Sequence, residues 1–182
     1  MKNLGLPRPA TIEDLYGVEG KAEIVNGRIV LMGGNGLVPS RAATLIWRSL
    51  DDFRRIHGGG HPFVEVVCVV DLPHRLNFQP DVCWYVGPLT TKHAHGAPPL
   101  AAEVRNDGDY GLRAEREMRA KRADYFAAGT AVVWDVDVLR EGVVRVYRAD
   151  DPEHPTVYRR GEVAEAEPAV PGWRMPVDEL FD

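Results

Sequence analysis

The sequence predicts an α/β or α+β domain, and three features carry that expectation. Short apolar runs of β character recur along the chain, an Asn-Gly pair joins two of them, and two longer stretches of helical period separate others. Thr11 opens the first element as a cap, with Asp14 near the start of a short helix ending at Leu15. Ala22-Glu23-Ile24-Val25, then Asn26-Gly27, then Arg28-Ile29-Val30-Leu31-Met32 reads as a hairpin, because Asn-Gly readily takes the positive dihedrals of a two-residue turn. Gly33-Gly34-Asn35-Gly36 ends it as a turn. A phosphate-cradling loop is not expected there, since no Gly-Lys-Ser/Thr follows.

Ser40 is expected to cap a helix whose Leu45, Leu50 and Phe53, beside Ile46 and Trp47, recur at helical spacing to about Arg55. The Gly-rich His57–Pro62 stretch stops it. Phe63 to Val70, apolar apart from Glu65, fits one interior strand. Asp71 to Arg75 reads as a polar turn, and Pro80 precedes a strand that opens with Asp81 and runs to Val86. Residues 89–99 read as a loop and 100–105 as the next strand. Leu112 to Ala128 forms a helix closed by Gly129. Strands over 131–136 and 143–147 follow, and a short amphipathic segment over 177–181 ends the chain. With no repeat, linker or low-complexity stretch, residues 1–182 read as one domain.

The balance of 22 Lys+Arg against 27 Asp+Glu gives a formal charge of −5. Binding through a broad basic surface is therefore disfavoured, since nonspecific phosphate binding rests on an excess of Lys and Arg. Local basic patches remain compatible with it. No run approaches the roughly 20 apolar residues that cross a bilayer, and Met1 to Pro9 lacks the apolar core of a signal peptide, so no membrane and a cytoplasmic setting are expected. Cys68 and Cys83 lie in apolar runs and read as buried thiols. Trp47, Trp84, Trp134 and Trp173 read as packing residues, with base stacking the alternative for one of them.

Asp81 at the start of one strand, Glu103 late in the next and Lys121 on the following helix form the most informative trio. Two carboxylates from neighbouring strands plus a backbone carbonyl supply the hard oxygens that a divalent cation such as magnesium prefers, leaving room for water and phosphate. Met118, Lys121 and Tyr125 fall at i, i+3 and i+7, so the lysine shares a core-facing stripe and needs a partner there. Alternatively, Lys121 snorkels to solvent, Asp81 is a turn residue and Glu103 pairs with an arginine at the surface.

These residues sit in motifs that resemble the Uma2-like family, whose members are similar to restriction-endonuclease-type PD-(D/E)xK nucleases. Ala22-Glu23-Ile24-Val25-Asn26-Gly27-Arg28-Ile29 resembles the family's opening, Pro80-Asp81-Val82 its Pro-Asp-Val element, and Ala102-Glu103-Val104 the segment of its second acid. Lys121-Arg122-Ala123-Asp124-Tyr125, Ala128-Gly129 and Val133-Trp134-Asp135-Val136-Asp137 follow in order. Pro171-Gly172-Trp173 and Glu179-Leu180-Phe181 resemble its ending.

The resemblance implies a restriction-endonuclease-like core, with a central mixed β-sheet flanked by helices and an N-terminal hairpin. It also implies an endonuclease cleaving nucleic acid, DNA first, as a homodimer. Asp81, Glu103 and the carbonyl of Val104 would hold Mg2+, with Mn2+ able to substitute. Lys121 would stand in for the lysine usually placed two residues after the second acid, and Glu23 would be an auxiliary acid, with pairing to Arg28 or Lys21 as its plainer reading. Arg105 occupies that customary lysine position and so competes with Lys121 for the cationic role, although an arginine does not readily accept a proton. Arg105, Arg113, Arg116, Arg119 and Arg122 are candidate contacts to the nucleic-acid backbone.

Two rivals remain open. One is a nuclease-like domain retained for binding or dimerisation without catalysis. The other is a metal hydrolase built on His57, His61, His93 and His95, although His93-Ala94-His95 lacks the helical His-Glu-x-x-His spacing.

Overall fold

The structure is a computed structural model and describes residues 2–4 and 8–182. The reading of Met1 to Pro9 therefore falls partly outside the described residues. Strand β1 (Lys2–Leu4) is followed by α1 (Ile12–Leu15), then by β2 (Ala22–Val25) and β3 (Arg28–Leu31). Val25 pairs with Arg28 across a turn in which Asn26 and Gly27 have φ of 51° and 69°, the left-handed values expected for Asn-Gly.

Helix α2 (Leu37–His57) begins a turn earlier than Ser40. Gly36 is its N-cap and Pro39 lies in the first turn, where the backbone N–H that proline lacks would have no intrahelical partner. The helix ends at Gly58, whose φ of 68° reverses the chain.

The single strand expected over 63–70 is two strands. Strand β4 (His61–Val64) belongs to one sheet and β5 (Cys68–Leu72) to another. Glu65 lies between them at φ 49°, and its N–H donates to the carbonyls of Pro80 (3.1 Å) and Asp81 (3.3 Å). A left-handed residue cannot continue a strand, so the apolar run changes sheets there. The polar turn expected at 71–75 is narrower, because Arg75 already begins β6 (Arg75–Phe78) and pairs with Leu72.

Strands β7 (Val82–Tyr85), β8 (Ala94–His95) and β9 (Leu100–Val104) come next, β8 falling inside the expected loop. Helix α3 (Leu112–Ala127) leads to β10 (Val132–Asp137), β11 (Val143–Arg148) and β12 (Asp151–Arg159). Strands β13 (Val163–Glu165) and β14 (Arg174–Pro176) and a 3-10 turn over Val177–Phe181 complete the chain.

Among the described residues the strands form two six-stranded mixed sheets and a two-stranded ribbon, with orders β1-β3-β2-β6-β5-β8, β12-β11-β10-β9-β7-β4 and β13-β14. In the second sheet β9 and β10 pair in parallel, and α3 makes the crossover that a parallel pair requires. None of the helices among the described residues is long and apolar enough to cross a membrane.

The period of two sorts the central strands into two faces. Val82, Trp84, Leu100, Ala102, Val104, Val132, Trp134 and Val136 bury against α2 and the C-terminal segment. Trp134 stacks on Trp173 there, with ring centroids 4.8 Å apart. The alternate residues Cys83, Tyr85, Ala101 and Val133 pack with Cys68, Phe78 and Tyr125 from the first sheet and α3. Cys68 and Cys83 are buried free thiols. Asp81, Glu103 and Asp135 are in phase with this second face.

Candidate active site

Asp81 immediately precedes β7 and is almost fully buried. Its Oδ2 accepts the backbone N–H of Val104 at 2.7 Å, which ties the start of β7 to the end of β9. Oδ1 accepts from Lys21 Nζ at 2.7 Å and from Asn35 Nδ2 at 3.2 Å. Glu103 sits on β9, its side chain a quarter exposed. Its Oε1 accepts from Tyr125 Oη at 2.6 Å and lies 2.8 Å from Lys121 Nζ, while Oε2 is 3.9 Å from Lys21 Nζ.

Lys121 therefore turns inward and does not snorkel. One helical turn later Tyr125 fills the core, stacked on Phe78 at 3.9 Å, and this anchor sets the helix rotation that directs Lys121 at the strands. The ammonium also lies 2.8 Å from Glu23 Oε1 on β2. Burial works against its charge, but Glu103 and Glu23 outweigh that penalty and hold its pKa above the ordinary lysine value. Glu23 is shifted the opposite way, because the Lys121 and Arg75 charges overcome its burial and hold it below the ordinary carboxylate value. Its partners are thus Lys121 and Arg75, at 2.8 and 2.5 Å, and not Arg28 or Lys21. Arg75 continues to Asp124 Oδ2 at 2.8 Å, one turn along α3 from the lysine.

Arg105 follows β9 on the same face, yet its guanidinium is directed elsewhere. Nε and Nη2 form a two-pronged pair with Asp135 at 2.6 Å each, and Nη1 reaches Glu115 at 2.5 Å. Burial opposes its charge, and these two carboxylates reverse that effect and raise its pKa. Of the two candidates for the cationic role, Lys121 contacts Glu103 and Arg105 is bonded to Asp135 and Glu115.

Lys21, Glu103, Arg105, Lys121, Tyr125 and Asp135 line a cleft of about 380 Å³ that also includes Asp81, Val104 and the Gly33–Asn35 loop. Asn106 braces that loop, donating to Asn35 Oδ1 and accepting the Gly36 N–H, at 2.8 and 2.9 Å. Sequence reasoning missed Lys21 and Asn35. Lys21 had a readable signal, since it lies two residues before Glu23 and so on the same side of the strand. Asn35 had none beyond its glycine-rich setting. Glu65 was also missed. It accepts from Asn35 Nδ2 at 3.3 Å, beside the Asp81 contact.

The outlying candidates disperse. Arg113 pairs with Glu117, Arg119 with Glu153, and Arg116 is exposed. Arg122 is the exception, since it lines the cleft, 3.8 Å from Asp135 Oδ2 and 3.9 Å above the Tyr147 ring. His57 stacks on Phe53, His61 lies beside Phe63, and His93 meets both His95 and the Tyr16 hydroxyl. Among the described residues, no group of three His, Cys, Asp or Glu side chains is arranged to hold a metal ion.

Asp81 and Glu103 nonetheless suit a hard divalent cation. Asp81 Oδ1 and Glu103 Oε2 flank a single cationic group, the Lys21 ammonium, within a cleft that leaves space for water. Magnesium characteristically takes one or two carboxylates and keeps several of its waters.

The sequence model of the Uma2 family, described as "Putative restriction endonuclease", matches residues 9–178. Among solved structures, the fold is similar to the crystal structure of a "putative nuclease belonging to DUF820" from Anabaena variabilis. The TM-score is 0.74 at 16% sequence identity, covering 95% of this chain and 98% of that one. No curated protein matches the chain.

Proposed function

The chain belongs to the Uma2 family, and on that footing we propose that it is a metal-dependent nuclease hydrolysing phosphodiester bonds of nucleic acid, DNA first. The observation that carries the reading is the meeting at one cleft of Lys21 just before β2, Asp81 just before β7, Glu103 on β9 and Lys121 on α3. There Lys121 Nζ stands 2.8 Å from both Glu103 and Glu23, and Asp81 is tied to the end of β9. In this proposal the architecture is a variant of the restriction-endonuclease core in which α3, and not β9, supplies the lysine.

Asp81, Glu103 and the carbonyl of Val104 would hold Mg2+ or Mn2+. Such an ion supplies Lewis-acid stabilisation of the scissile phosphate and a more acidic water. Lys121 stays charged beside its two carboxylates, so it orients water and offsets phosphate charge without taking a proton. Glu23 fixes the position of Lys121, and Arg105 holds the end of β9 against β10 through Asp135. The proposal extends to a homodimer, an expectation that sedimentation velocity checks.

A second reading, binding without cleavage, draws on one observation. Asp81 and Glu103 already face Lys21 and Lys121, so the cluster is charge-compensated without any added ion. Incubating the protein with Mg2+ or Mn2+ and a panel of plasmid, linear duplex, single-stranded DNA and RNA separates the two. Cleavage that disappears in folded Asp81→Asn and Glu103→Gln proteins supports the nuclease. Substrates that are bound but left intact support the second reading.

A further inference from the structure

We propose that Lys21 is a built-in counter-ion, seated where the divalent cation would bind and displaced when that ion arrives. The inference rests on the metal-site reading above. Of the oxygens on Asp81 and Glu103, Asp81 Oδ2 is taken by the Val104 N–H, and Glu103 Oε1 by Tyr125 and Lys121. The remaining two, Asp81 Oδ1 and Glu103 Oε2, both face Lys21 Nζ, at 2.7 and 3.9 Å, and Oδ1 also accepts from Asn35 Nδ2 at 3.2 Å. Its side chain is only 9% exposed, so the ammonium is seated between the carboxylates and does not lie on the rim.

Lys121 and Lys21 thus play different parts. Lys121 is fixed from behind by Glu23 and stays beside Glu103 whether or not an ion is present. Among the described residues, the side-chain contacts of Lys21 to the site are to Asp81 and Glu103, and the residue lines the open cleft. Two cations cannot share those oxygens at close range. Apparent metal affinity is therefore reduced by the fraction of molecules in which Lys21 holds the seat.

Mn2+ titration calorimetry on the wild type, Lys21→Gln and Asp81→Asn tests this. Lys21→Gln is expected to bind at least about tenfold more tightly than wild type, as for a seat about 90% occupied by its own lysine. The ratio is expected to persist in 0.5 M salt, where more distant repulsion is screened. Binding that requires Asp81 but is unchanged in Lys21→Gln overturns the role of Lys21 and leaves the metal site standing. No binding in either wild type or Lys21→Gln overturns both.

A measurement on the wild type covers a Lys21→Gln protein that does not fold. Amine acetylation read by mass spectrometry is expected to rise several-fold at Lys21 on adding Mn2+, with Lys121 staying protected. Saturable Mn2+ binding with Lys21 still protected contradicts displacement.

Discussion

Lys121 Nζ lies 2.8 Å from Glu103 Oε1, although one residue sits on α3 and the other on β9. The position two residues after Glu103 holds Arg105, whose guanidinium is bonded to Asp135 and Glu115. The cation beside the second acid therefore comes from tertiary packing. Tyr125 in the core fixes the helix rotation, and Glu23 on β2 holds the ammonium in place.

Replacing Lys121 by Met should separate chemistry from metal binding. Loss of a nearly buried ion-pair partner is expected to destabilise the fold by about 3 kcal/mol in urea melts, a figure moderated because Glu23 keeps Arg75. Cleavage should fall by about 100-fold or more while Mn2+ affinity stays within a few-fold of wild type. Unchanged cleavage would assign the cationic role elsewhere.

Arg105→Lys tests the other arginine–lysine distinction. A lysine cannot reproduce the two-pronged bond to Asp135 while also reaching Glu115, so stability is expected to drop by about 2–3 kcal/mol. Mn2+ affinity should remain close to wild type, since Arg105 bonds to Asp135 and Glu115 and not to Asp81 or Glu103. A large loss of affinity with little loss of stability would place Arg105 in the site.

Tyr125→Phe removes one donor to Glu103 and keeps the stack on Phe78. Chemical denaturation should show a loss of about 1 kcal/mol, because Lys121 still serves the same oxygen. A loss near that of Lys121→Met would mean that the hydroxyl, more than the lysine, organises Glu103.

The Glu23–Lys121 pair sets a pH window. The Glu23 pKa is lowered on folding, so its contribution is complete above the ordinary value of 4.5 and fades as pH falls below it. The Lys121 pKa is raised, so its contribution is complete below the ordinary value of 10.5 and fades as pH rises above it. Thermal melts should therefore show a plateau from about pH 6 to about pH 9 as far as this pair is concerned. Glu23→Gln should weaken the acid-side dependence. An acid limb identical to wild type would remove Glu23 as its source.

Much of this was legible because it is local or periodic. Asn26-Gly27 specified the hairpin, Gly58 and Gly129 the ends of α2 and α3, and the short apolar runs over 82–86 and 100–105 placed Asp81 and Glu103 on or beside strands. Lys121 was legible through its spacing from Tyr125. The split of the 63–70 run was not, because it depends on Glu65 taking φ 49° to meet Pro80 and Asp81, a tertiary contact. Strand β12 was hidden by its exposed, proline-containing sequence, which carries no apolar alternation. Lys21 was read only as a plain partner for Glu23, since its contacts with Asp81 and Glu103 arise where separate strands converge.

Anomalous diffraction from crystals soaked in Mn2+ shows whether Asp81 and Glu103 share a divalent cation. A shared ion gives a peak about 2.2 Å from oxygens of both carboxylates, with Lys21 moved off Asp81. Lys121 should remain beside Glu103 and Glu23. A peak bound elsewhere, or none there at saturating Mn2+ with Lys21 still between the carboxylates, would contradict a shared ion.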